Sequence, residues 1–170
     1  MGKEAVGKKV LILNHLTAGL GSDENAQLPP GGKKTALGPG RRTLNTLFHG
    51  HDTEIIATLY CGAQYYLAHQ EEVNKKFIGF AKKIVADAVL CGPAMHYANF
   101  GMMAAQLSLV FGVQGIPSVV AMSEENPAFG RYAKEINIIK MPKKGGIGLN
   151  DSYKNISSFI SALAHQNQSS

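Results

Sequence analysis

The stretch Asp87–Gly101, reading DAVLCGPAMHYANFG, limits the possible folds of this chain more than any other. Ala88-Val89-Leu90 is a short, wholly apolar run, the pattern of a strand buried on both faces of a sheet. It stops at Cys91-Gly92-Pro93, and an apolar pattern of helical period begins near Phe100. A strand that breaks into a helix in this way is the unit of an open α/β sheet, where ligands sit beyond the carboxyl ends of the strands. Between the break and the helix stand His96, Tyr97 and Asn99, which become candidate binding residues together with Gly92 and Pro93. An ordinary βα loop with a Gly-Pro turn accounts for the same residues in structural terms.

The motif does not stand alone. Val10-Leu11-Ile12-Leu13 is a second continuous apolar run; it ends in Asn14-His15 and enters a segment, residues 17–40, dense in glycine and proline. Leu44, Leu47 and Phe48 then carry helical spacing up to Gly50, and Thr53–Tyr60 (TEIIATLY) reads as a strand running into Cys61-Gly62. Residues 71–86 place Val73, Phe77, Phe80, Ala81 and Ile84 on one helical face and lysines on the other. Residues 100–112 form a further helix, Ile116–Met122 a strand entered through a proline, Ile136–Ile139 a short strand and residues 151–164 a last helix with Asp151 at its cap. Strands alternating with helices predict one α/β domain over residues 1–170, a three-layer, flavodoxin-like or Rossmann-like sandwich. The expected sheet has five parallel strands in the order 2-1-3-4-5. The ends, residues 1–8 and 165–170, are expected to fray, and residues 17–40 to be the most mobile or partner-dependent part.

Several chemistries are excluded or left without support. No apolar run approaches the roughly 18–20 residues of a membrane span, and residues 1–9 are too charged for a secretory leader, so a cytoplasmic protein is expected. A formal charge of +5 is spread over scattered pairs such as Lys8-Lys9, Lys75-Lys76 and Lys143-Lys144. It comes without the aromatic-interleaved basic motif of a nucleic-acid binder, and an anionic small molecule or an acidic protein fits the charge as well. Gly19-Leu20-Gly21 follows the first strand but lacks the third glycine of a dinucleotide fingerprint, and Pro29-Pro30 prevents an immediate long helix. Lys143-Lys144-Gly145-Gly146 is not in the strand–loop–helix setting of a P-loop. His49-Gly50-His51 offers two ligands where a metal needs three or four, and reads as a solvated turn. No cofactor and no metal is expected.

Cysteine is the strong nucleophile on offer. Cys61 and Cys91 each close an apolar run and precede a glycine. Cys91 lies just before a helix N-terminus, a position that lowers a thiol pKa, and both are candidate catalytic residues. Free cysteine is also among the most buried residue types, which leaves a structural thiol as the equal alternative. His96 is a candidate base. Glu125-Asn126, in the loop after the fourth strand, offers a carboxylate and an amide to an ammonium and a polar group, and a helix-capping role for the pair is its rival. Asn14, Gly19, Gly21, Gly92, Pro93, His96, Tyr97, Asn99, Glu125 and Asn126 make up the expected binding set.

Taken in order, several motifs resemble a known family. Residues 18–26 (AGLGSDENA) with Gly38-Pro39-Gly40, then Thr58-Leu59-Tyr60-Cys61-Gly62 with Tyr65-Tyr66, resemble the glycine/sarcosine/betaine reductase component B selenoproteins. Cys91-Gly92-Pro93-Ala94 with Tyr97 and Gly101, then Gly115-Ile116-Pro117 and Met122–Pro127 (MSEENP), continue the series. In that family component B handles the amine substrate. A selenocysteine cleaves its C–N bond and passes the carboxymethyl group to a partner selenoprotein. The resemblance draws Cys61 towards the pocket and implies a small amine or amino-acid derivative as ligand. It also implies a partner chain carrying the redox centre, and a homo-oligomer stays open. This chain has no selenocysteine, and it has Cys91 where the family has a small side chain. Ser22, Asn25 and Ala128 stand where the family is more acidic or glycine-rich. What the resemblance implies is therefore a stand-alone version of the substrate-side domain. Two functions remain open: a component of a reductase using Cys61 or Cys91, and a non-catalytic binding or assembly module that kept the pocket.

Overall fold

The computed structural model describes residues 8–14, 30–33, 47, 48, 50, 53–92, 94, 98–142 and 149–167. Strands β1 (Lys8–Asn14), β2 (Gly31–Lys33), β3 (Thr53–Tyr60), β4 (Ala88–Cys91), β5 (Ser118–Ser123) and β6 (Ile138–Met141) form one sheet in the order β2-β3-β1-β4-β5-β6. Helices α1 (Ala63–Ala68), α2 (Gln70–Lys83), α3 (Ala98–Val113), α4 (Pro127–Tyr132) and α5 (Leu149–Asn167) lie between and after them.

The expected five-stranded, all-parallel sheet in the order 2-1-3-4-5 is corrected here. The sheet has six strands and is mixed, because β2 pairs antiparallel with β3. The flavodoxin-like, Rossmann-like description falls with it, and α/β is the class that stands. The sequence conceals β2 for a physical reason. Gly31-Gly32-Lys33 has no apolar alternation, and glycine is depleted in strands. It is required here because a Cβ on Gly31 would lie 2.7 Å from the Tyr60 ring. The aromatic side chain of β3 covers the edge strand where a side chain of that strand would otherwise stand.

β1 pairs parallel with β3 on one side and β4 on the other, and β4–β5 and β5–β6 are also parallel. β4 and β5 are buried at every position, which matches their unbroken apolar character. Between Val10↔Ile55 and Leu11↔Ala57 the register skips Ile56, a bulge that reverses the facing of β3. Ile55 consequently joins the core beneath α5, with Leu90, Ala121 and Ile160, whereas Ala57, Leu59 and Cys61 face the opposite core with Val89, Cys91 and Val120. That second core is filled by α2 and α3 through Phe77, Phe100, Met103, Leu107 and Phe111.

α2 is amphipathic: Val73, Phe77 and Ala81 are buried, Glu71 and Glu72 sit in the first turn, and Lys82 and Lys83 sit in the last, the charge order its dipole favours. It ends in a Schellman motif, with the Ala86 N–H donating to the Ala81 carbonyl at 3.0 Å and the Val85 N–H to that of Lys82 at 3.2 Å. α3 ends identically. There the Ile116 N–H donates to the Phe111 carbonyl at 2.9 Å and the Gly115 N–H to that of Gly112 at 3.0 Å. The left-handed residue is Gly115 (φ 79°) in α3 but Val85 (φ 56°) in α2. α5 runs to Asn167, into the tail expected to fray. Of the segment 17–40, Pro30 to Lys33 are described; the expectation of mobility for the rest lies outside the described residues.

Candidate functional site

Because β1, β3, β4 and β5 are mutually parallel, their carboxyl ends share one edge of the sheet. That edge receives Asn14 at the end of β1, Cys61-Gly62 after β3, Cys91-Gly92 at the end of β4 and Ser123–Asn126 after β5. Gly19, Gly21, Pro93, His96 and Tyr97 lie outside the described residues.

The two thiols face inwards. Cys61 and Cys91 are both thiols, not disulfide-bonded, and fully buried in the core beneath α3. Burial pushes the Cys61 thiol up to about 12, with the Glu72 carboxylate adding to the shift, and burial alone pushes Cys91 well above the ordinary thiol range. Both are neutral thiols at neutral pH, whereas the thiolate is the nucleophile. The helix N-terminus that sequence reasoning set beside Cys91 does not offset its desolvation. Leu13 of β1 pairs with both Leu59 and Cys91, so the whole of β1 stands between the two cysteine-bearing strands. Two strand spacings amount to about 10 Å, beyond the Cα separation of a disulfide.

The remaining candidates build the loops themselves. Gly92 has φ +119°, and a Cβ there would lie 2.7 Å from the Ala121 carbonyl oxygen. This close approach lets the Ala94 N–H donate to the same carbonyl at 2.7 Å, tying the exit of β4 to β5. Asn99, in the first turn of α3, donates from Nδ2 to Gln64 Oε1 at 3.5 Å and links that turn to α1. The Ser123 hydroxyl accepts from the Glu125 N–H at 3.1 Å, and the Glu125 side chain is exposed. Asn126 is 2% exposed and N-caps α4, its Oδ1 accepting from the Ala128 N–H at 2.9 Å, with Pro127 at the first helical position. The capping role that the sequence left open for this pair is thus taken by Asn126.

Sequence reasoning missed Tyr66 and Gln64, both on α1. Tyr66 is fully buried, donates from its hydroxyl to Asn74 Oδ1 at 2.9 Å, and has its pKa raised mainly by burial, with Cys61, Cys91 and Tyr132 close enough to add to the shift. The signal was the tyrosine pair after Cys61-Gly62, whose helical setting went unread. A cavity of about 510 Å³ involves none of the candidate residues. It opens at the opposite edge, between the end of α3 and the chain entering β6, lined by Leu109, Ile116, Ser118 and Asn137 among others. Among the described residues no cluster of three His, Cys, Asp or Glu is placed to hold a metal, and no helix is long and apolar enough to cross a membrane.

What the fold and this edge define is an α/β domain in which the exit of β4 and the first turn of α3 are tied to β5 and its following loop by Gly92, Gly101 and the buried amide of Asn126. Comparison with known proteins gives the particular family. Residues 6–170 match the model of the glycine/sarcosine/betaine reductase selenoprotein B family, and the chain belongs to that family. It is similar to the sarcosine reductase complex component B subunit beta of Peptoclostridium acidaminophilum, with 34% identity over 134 residues, 78% of this chain and 30% of that protein. It is also similar to the glycine reductase complex component B subunit gamma of Carboxydothermus hydrogenoformans, with 31% identity over 152 residues, 82% of this chain and 34% of that protein. The subunit gamma of Peptoclostridium litorale shows 30% identity over 140 residues, 82% of this chain and 31% of its own length. The chain thus spans about a third of the length of the curated relatives it matches. No solved structure matches it significantly.

Proposed function

We propose that this chain is the substrate-side subunit or domain of a glycine/sarcosine/betaine reductase-like oxidoreductase. It binds a small amine or amino-acid derivative at the carboxyl edge of the sheet and acts with a partner chain that carries the redox centre. The observation that supports this most is that β1, β3, β4 and β5, the strands that lead into the family-like motifs, all end at one edge of a parallel array. The relatives it resembles along 78–82% of its length are named as subunits of reductase complexes. In this reading an amine is held by exposed carboxylates such as Glu125 and by polar groups of the loops, and Cys61 and Cys91 act as core residues.

A second reading, a non-catalytic binding or assembly module, is favoured by one fact: the two strongest nucleophiles the sequence offers, Cys61 and Cys91, are buried in the core. Calorimetric titration of the purified chain with glycine, sarcosine and betaine tests the shared premise. Saturable binding of at least one is expected, and failure of all three to bind overturns the site. The two readings then separate in an assembly reconstituted with the other components of a glycine or sarcosine reductase complex. The reductase reading expects this chain to be required for amine-dependent turnover, and the module reading expects turnover without it.

A further inference from the structure

Gly101 lies in the first turn of α3, buried, and it has no room for a side chain. A Cβ built there would overlap the side-chain amide of Asn126 on all sides: its oxygen, its nitrogen and the carbon between them. Asn126 belongs to a different loop, the one after β5. Its backbone N–H donates to the Ser123 carbonyl at 2.9 Å, its own carbonyl accepts from the Phe129 N–H at 2.9 Å, and its Oδ1 holds the Ala128 N–H. Asn126 is therefore fixed to the loop and helix after β5 through its backbone and its side chain, and its buried amide is seated against the helix that follows β4. Ser123, where this loop leaves the sheet, is itself buried.

The contact has the character of a key in a slot. Protein interiors are packed tightly enough that a misplaced methyl group forces its neighbours to move. Here the neighbours are an N-cap and the opening of a sixteen-residue helix, both at the carboxyl edge. The hydrogen bond from Ala94 to Ala121 joins the exit of β4 to β5 itself, one step closer to the sheet. Together they tie Ala94 and the first turn of α3 to β5 and the loop that follows it.

We infer that Asn126 is a positioning residue of the edge site: its contact with Gly101 sets the first turn of α3 relative to the loop after β5, and its side chain does not itself hold the ligand. The inference rests on the edge being the ligand site, as proposed above, and it assigns Asn126 a task different from that of the exposed Glu125 beside it. It also gives the glycine at position 101 a reason other than helix propensity, since glycine within a helix costs about 1 kcal/mol relative to alanine.

The test is a coupled pair of substitutions. Gly101→Ala adds the one atom the slot refuses. Asn126→Ser keeps a strong N-cap but vacates the amide volume, so the double variant has both the cap and room for the methyl group. Two readouts are followed: amide hydrogen exchange at Ala94, Glu125 and Ala128, and calorimetric affinity for glycine, sarcosine and betaine. Gly101→Ala is expected to speed exchange at these amides at least tenfold, with Val89 and Val119 unchanged. Binding of any amine that the unaltered protein binds should weaken at least tenfold. Adding Asn126→Ser should restore both to within about threefold. Additive effects in the double variant, or unchanged exchange in Gly101→Ala, overturn the inference. If Gly101→Ala alone does not fold, a folded double variant supports the slot and an unfolded one refutes it. If the unaltered protein binds none of the three amines, the site proposal fails while the exchange data still decide whether Asn126 ties the first turn of α3 to the loop after β5. Asn126→Ser alone, which keeps the cap but empties the slot, should speed exchange at Ala94 and Ala128 and weaken affinity together; unchanged exchange and affinity, or a tenfold loss of affinity with unchanged exchange, would overturn the inference.

Discussion

At the scale of single residues, the decisive chemistry is the burial of two thiols. Cys61 and Cys91 sit at positions where sequence alone permits either a nucleophile or a core residue, and the packing beneath α3 gives them the surroundings of the latter. A chromogenic aryl disulfide added to the native protein at about pH 8 is expected to titrate neither thiol within minutes, and both once the protein is unfolded. Rapid reaction of one thiol in the native state would restore it as a candidate nucleophile. The same burial makes stability depend on alkaline pH. The folded-state thiol pKa of Cys61 is raised from its ordinary 9.0 to about 12, and that of Cys91 is raised as well. The unfolded chain therefore releases protons at a pH where the folded chain holds them. Stability from this source is complete below about pH 9 and is lost as pH rises from 9 towards 12. Urea midpoints measured from pH 8 to pH 11 should fall, and the fall should be shallower in Cys61→Ala, which has one fewer thiol to titrate. An identical slope in that variant would mean that the thiol does not hold its proton.

At the scale of the element, the two Schellman motifs form a comparison within one molecule. α2 and α3 end with the same pair of hydrogen bonds, yet one uses Gly115 and the other Val85 in the left-handed region. A β-branched residue there is strained, while Val85 is 66% exposed and recovers little by packing. Val85→Gly should stabilise the protein by about 1 kcal/mol, raising Tm by about 2–4 °C, and Gly115→Ala should lower it by a similar amount. A destabilised Val85→Gly would show that the valine side chain contributes something the helix end does not reveal. Elements also separate what the sequence discloses from what it hides. The runs at β1, β4 and β5 are legible because a strand buried on both faces must be apolar throughout, and α2 is legible from Val73, Phe77 and Ala81 at helical spacing. β2 is illegible because its place beside Tyr60 demands glycine, and α4 is hidden because Ser123-Glu124-Glu125-Asn126-Pro127 looks like a loop until Asn126 is recognised as a cap with proline at the first helical turn. The cysteines mislead for a different reason: the β3 bulge, which turns Leu59 and Cys61 into the core beneath α3, arises from pairing with a distant strand and leaves no local mark.

At the scale of the whole molecule, the sheet is protected unevenly, and its uneven protection can be measured. Among the described residues, β1, β4 and β5 have a strand on each side, whereas β2 and β6 each have a single neighbouring strand. β4 and β5 are in addition buried at every position between the two cores, while Ile138 and Ile139 of β6 are half-buried and Lys140 is exposed. Opening a central strand requires breaking hydrogen bonds on two sides and exposing both cores, which approaches global unfolding; opening an edge requires neither. Amides of Leu90, Cys91, Val120 and Ala121 should therefore exchange at the rate set by global stability, and those of β2 and β6 at least a hundredfold faster. The Ser108–Ser118 hydroxyl contact, 2.5 Å and buried where α3 meets the start of β5, places Ser118 with the slow group even though it begins its strand. Deuterium exchange followed by NMR over hours to days resolves these classes. If β6 proves as slow as β5 in a concentrated sample and faster on dilution, a second copy or another chain must be covering that edge, and the isolated sheet would no longer be the unit whose stability is being read.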